Sequence, residues 1–172
     1  MDLSIKLNSE EVKELFSKNW LTHDAMWYGT CVNELGSEKA NKLNKTAVRL
    51  MATIEIKRIV GLMGRPMGAG INTFHELKEI IGTAFQLVQT SFMTFDYSFP
   101  EENMLLGSFN ECFAYNGVKK YGMIANYDCG IVERVKGWLD GLSVSYVMEP
   151  DFTGCLMYQK GTCEVRFRFN FT

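Results

Sequence analysis

The chain has 172 residues, 47% of them hydrophobic and 22% charged, with a formal net charge of -2. That balance belongs to a folded chain with a packed core rather than to a disordered or membrane chain. The pI near 5.7 offers no basic stripe for a phosphate backbone, so nucleic acid is not an expected partner. The N-terminus "MDLSIKLNSEEV" is acidic where a signal peptide starts basic, and no stretch reaches the roughly 20 apolar residues that span a bilayer. The expectation is a cytoplasmic protein with no membrane partner. Its five cysteines are then free thiols, metal ligands or catalytic groups instead of a disulfide framework.

In "NSEE", Asn8 and Glu11 stand at capping-box spacing and predict a helix from Ser9 to about Leu35. Val12, Phe16, Trp20, Trp27 and Cys31 recur along it at helical spacing, with His23 in phase between the tryptophans, and are predicted to face inward. Gly36 breaks the helix and Ser37 can cap a second, whose stripe of Leu43, Ala47, Leu50 and Ile54 is again predicted as the packing face. Residues 64–70, "GRPMGAG", read as a linker between a helical part (1–63) and an α+β part (71–172) of one domain. The glycines there follow a helix and lack the Lys-Ser/Thr of a phosphate loop.

Thr73 and Glu76 form a second capping box, followed by Leu77, Ile80, Ile81, Ala84, Phe85 and Val88 at helical spacing. From Thr94 the period changes to two, and "TFDYSF" and "NMLLGSF" on either side of "PEE" predict a hairpin. Two short helices follow, after Cys112 and after Asp128, the second closed by Gly141. Strands return in "VSYVME", "GCLMY" and "CEVRFRFNF", where Cys163, Val165, Phe167, Phe169 and Phe171 alternate with Glu164, Arg166, Arg168 and Asn170. The order predicts an α+β fold: long N-terminal helices packed on an antiparallel sheet of about four to five strands, with a β-β-α-α-β-β C-terminal half.

Cysteine is the strongest chemical signal. Cys112, Cys129, Cys155 and Cys163 fall in one half of the chain, and four thiolates can close a tetrahedral zinc or iron site, although no C-x-x-C pair is present. Free cysteine also packs as a small hydrophobe. A third possibility is catalysis at Cys129, because a helix N-terminus stabilises a thiolate, with His23 and Asp24 in "WLTHDAMW" as candidate base and orienter. Arg166 and Arg168 on the wet strand face can meet a carboxylate or serve solubility alone.

"HDAMW", "NECFAYNGVKKYG", "YDCGIVERVKGWLDGL" and "CEVRFRF" together resemble a group of small uncharacterised prokaryotic cytosolic proteins. Over about the last 80 residues the chain also resembles the aminothiazoline-carboxylate hydrolase family and, more distantly, the 4-vinyl reductase small-ligand domain. The resemblance implies an α+β ligand-binding scaffold in which Cys112, Cys129 and Cys163 match cysteine positions of the pattern. Three functions stay open: a domain binding a small-molecule ligand or a metal, a hydrolase of a small cyclic amide or imine with Cys129 or a metal-bound water as nucleophile, and a homodimer with no site.

Overall fold

A computed structural model describes residues 6–66 and 70–171. The fold is α+β, with six α-helices and a four-stranded antiparallel sheet among the described residues. Helix α1 is Ser9–Leu35 and α2 is Ser37–Leu62. They are separated by Gly36 at φ +79, a left-handed backbone that glycine adopts at least cost. Both predicted capping boxes form: Asn8 with Glu11 on α1, and Thr73 with Glu76 on α3, Phe74–Val88. The linker prediction falls partly on residues 67–69, outside the described residues.

Strands β1 (Asp96–Ser98), β2 (Met104–Phe109), β3 (Tyr146–Glu149) and β4 (Cys163–Phe169) lie in the order β1-β2-β4-β3. The alternation read in β4 holds, with Val165, Phe167 and Phe169 buried and Glu164, Arg166 and Arg168 exposed. "GCLMY" is a correction. It contributes α6, Leu156–Lys160, begun at Cys155 and ended by Gly161 at φ +73, and β3 pairs directly with β4.

Helices α4 (Phe113–Lys120) and α5 (Gly130–Gly141) connect β2 to β3. Gly141 ends α5 for a packing reason rather than as a cap. A Cβ at Gly141 would lie 2.5 Å from Ile56 Cγ2, and one at Gly137 would lie 2.7 Å from Ala52 Cβ. One bare face of α5 therefore lets α2 approach backbone to backbone. The core gathers Ile56, Leu77, Ile80, Ile81, Leu105, Trp138 and Leu139 between these helices and the inner sheet face.

The phase of both long helices differs from the sequence expectation. In α2 the inward residues are Ala40, Asn41, Ala52, Ile56, Ile59 and Val60, and Leu43, Ala47, Leu50 and Ile54 are exposed. In α1 Tyr28 is buried while Phe16, Trp20 and Trp27 are exposed. The small side chains of α2 permit the closest contact with Gly137 and Gly141, and that contact sets the rotation of the helix.

Candidate functional site

An apolar cleft lies where α3 and α5 cross the inner face of the sheet. Its cavity volume is about 80 Å³. Sheet register explains its position. Leu105 pairs with Phe167, Gly107 with Val165 and Phe109 with Cys163, and all six line the cleft. At the middle pair the glycine supplies no side chain, and a Cβ built there meets nothing within 4 Å. Phe85 and Val88 of α3 and Val132, Val135 and Trp138 of α5 form the opposite wall.

Polar groups touch this cleft at few points. Arg134 is held by Glu55 through two bonds, Nε to Oε2 at 2.9 Å and Nη2 to Oε1 at 2.5 Å. Its guanidinium lies 5.1 Å from the Trp20 ring centroid and 5.6 Å from that of Trp138, whose Nε1 also donates to Glu55. The arginine charge is thus already matched. Cys163 adds a thiol, pushed up to about 11 chiefly by burial, so at neutral pH it is a protonated, weakly polar wall.

The four candidate thiols are distributed by helix ends. Cys112, Cys129 and Cys155 are the N-cap residues of α4, α5 and α6, and Cys163 begins β4. Among the described residues no group of three or more His, Cys, Asp or Glu side chains could hold a metal ion. The expectation that Cys129 titrates low is corrected. Burial dominates and the nearby amides of Val132 and Ile131 only partly oppose it, leaving the thiol at about 12. Asp128 is not the cap. Its carboxylate accepts from Lys45 Nζ at 2.7 Å and from the Gly154 amide at 2.9 Å.

His23 is exposed, against the expectation of burial, because α1 turns its Phe16–Trp27 stripe outward. Asp24 is half-buried and its carboxyl is raised first by desolvation, with His23 and Arg134 pulling it down. Cys129 feels Cys112 and Cys163 instead, so the three residues predicted as catalytic sit in two electrostatic neighbourhoods. Arg166 pairs with Glu164, and Arg168 with Glu101 and Glu149. Gly107 went unread in the sequence, although a glycine inside a strand signals a close approach to that backbone.

Fold and cleft together define an α+β protein with an apolar recess between sheet and helices. The chain belongs to the family of unknown function DUF6125, whose pattern matches residues 4–138. It is also similar to a crystal structure of a trafficking protein particle complex subunit 3 from Naegleria fowleri covalently bound to palmitic acid. The TM-score is 0.54 at 15% identity, over 91% of this chain and 96% of that chain, a likeness of fold. No curated protein matches the chain. The aminothiazoline-carboxylate hydrolase and 4-vinyl reductase resemblances find no support in these comparisons. No helix among the described residues is long and apolar enough to cross a membrane.

Proposed function

We propose that this protein binds a small apolar ligand, a thin alkyl chain or flat ring, in the cleft over Gly107. The observation that carries the reading is the missing side chain at Gly107 in the middle of an apolar wall. Apolar recesses with few polar groups are the usual form of ligand sites. The small cavity volume favours an extended chain over a bulky cofactor, and the structural neighbour is described as bound to palmitic acid. Binding is non-covalent in this reading, because a thiol held protonated at Cys163 is a poor nucleophile.

Each buried CH₂ contributes about 0.8 kcal/mol against an association cost of at least ~4 kcal/mol. Affinity should therefore rise with chain length. The test is titration with a dansyl-labelled fatty acid, competed by unlabelled acids of increasing length. Saturable, blue-shifted emission lost in Gly107→Leu supports the site; equal binding by the variant, or none by the wild type, removes it.

A zinc or iron ion on Cys112, Cys129, Cys155 and Cys163 is a separate proposal, decided by elemental analysis of tag-free protein purified anaerobically. A protein-interaction role is a second reading, favoured by the apolar outer side of α1 and α2.

A further inference from the structure

We infer that the outer face of the α1–α2 hairpin is an isologous interface with a second copy of this chain. This rests on the interaction reading and requires no ligand in the cleft. Phe16 and Trp27 on α1 remain 69% and 63% exposed, and Trp20, with Arg134 against its ring, 43%; Leu43, Leu50 and Ile54 on α2 remain 50%, 62% and 53% exposed. Both sets keep helical spacing and span eleven residues: Trp20 and Trp27 follow Phe16 by four and eleven, and Leu50 and Ile54 follow Leu43 by seven and eleven. Residues at such three-to-four steps form one seam along a helix, the pattern that packs against another helix. Each seam is about 16 Å long. Because α2 folds back after one glycine, the two seams run side by side.

With about 200 Å² per fully exposed aromatic ring and somewhat less for Leu and Ile, the six side chains leave on the order of 700 Å² of apolar surface uncovered. A stable dimer covers about 800 Å² per partner, so this face alone nearly supplies the area. Charge along this face is mixed, with exposed Lys39 four residues before Leu43 at the hairpin tip. Glu34 lies seven residues beyond Trp27 at the hairpin tip, and Lys57 and Arg58 lie just beyond Ile54 at the open end. All three are exposed, and none makes an ion pair among the described residues. A two-fold axis perpendicular to the hairpin brings the tip of each copy to the open end of the other, with Glu34 toward Lys57 and Arg58, and closes a four-helix bundle.

The test is sedimentation equilibrium of the untagged full-length chain at about 50 μM, with Trp27→Glu/Leu50→Glu and, separately, Ile54→Lys. The expected result is a wild-type dimer and monomeric variants with unchanged far-UV circular dichroism. Wild-type tryptophan emission should also shift to the red on dilution through dissociation, a reading that needs no variant to fold. A wild-type monomer overturns the inference, as does a dimer that survives folded variants or an assembly larger than two. A monomer that co-floats with neutral phosphatidylcholine vesicles also overturns it, assigning the face to lipid.

Discussion

Asn41 of α2 receives the Tyr28 hydroxyl of α1 on its Oδ1 at 2.8 Å, and the same oxygen accepts the Asp128 amide at 3.0 Å. Its Nδ2 donates to the Asn126 carbonyl at 2.6 Å. A single buried amide therefore ties both long helices to the loop that starts α5. Asp128 carries the tie onward to Gly154, whose carbonyl accepts from the Cys129 amide at 3.0 Å.

Replacing Asn41 by Leu leaves the Asp128 amide, the Asn126 carbonyl and the Tyr28 hydroxyl without these partners. With about 1–3 kcal/mol for each buried group left unsatisfied, and partial relief from water, a loss of about 3 kcal/mol is expected. Tyr28→Phe leaves the Asp128 bond in place and should cost about 1 kcal/mol. Urea denaturation of both variants and the double mutant checks this. Strictly additive losses would mean the two side chains do not act through one bond.

The α2–α5 contact makes a second prediction. Alanine at Gly137 presses on Ala52 and the Arg49 carbonyl, and alanine at Gly141 presses on Ile56. Overpacking of this kind costs about 1–3 kcal/mol. Gly137, whose closest neighbour is the Arg49 carbonyl, should lose more than Gly141, whose closest neighbour is the Ile56 Cγ2 methyl, with the Thr53 carbonyl farther off at 3.0 Å. Thermal melts should rank the two variants in that order, and Gly117→Ala, inside α4 with nothing within 4 Å, should instead raise the melting temperature by the equivalent of about 0.5–1 kcal/mol.

Local chemistry explains which elements the sequence reveals. The two capping boxes and the alternation of β4 are short-range patterns, and each reappears in place. Helix rotation is decided elsewhere. In α1 the stripe of Phe16, Trp20 and Trp27 competes with another containing Leu21, Tyr28 and Val32, and periodicity alone does not say which one meets the body. In α2 the deciding residues are Ala52 and Ile56, because each has as partner a glycine 85 positions away; the larger apolar side chains would not fit there. Cys129 shows the same division. Its place at a helix start is legible locally, while the burial that reverses its acidity arises from the long-range fold. At Gly107 the glycine is visible, but its opposition to Val165 requires the register.

Raised thiols give a pH dependence of stability. Cys129 and Cys163 hold their protons to about 12 and 11 in the folded state, whereas an unfolded thiol releases its proton near 8.5–9. Below that value both states are protonated and the contribution is fully present. As pH rises through 9 toward 11 the unfolded chain binds fewer protons, so stability falls. The urea midpoint should be level from pH 7 to 8 and decline above 9. In Cys129→Ala the decline between pH 9 and 10 should lessen by up to about one proton, since the buried tyrosines enter mainly at higher pH. An unchanged slope would show that Cys129 titrates normally.

Cys163 supplies a reporter inside the cleft. Its sulfur lies on the cleft wall opposite Phe109, and its raised acidity makes alkylation slow at pH 8, where roughly one molecule in a thousand carries the thiolate. The rate should climb about tenfold per pH unit up to pH 10, in step with the thiolate fraction. If the cleft takes an alkyl chain, a saturating long-chain fatty acid covers this wall and slows labelling at Cys163 several-fold, leaving Cys31 on α1 at its original rate. Gly107→Leu should slow Cys163 labelling without any ligand and abolish further protection by the fatty acid. The measurement is peptide-resolved mass spectrometry of iodoacetamide adducts across pH 7–10. Equal slowing at Cys31 and Cys163 would indicate general tightening of the protein, and undiminished labelling at saturating fatty acid would mean that the chain binds away from β4.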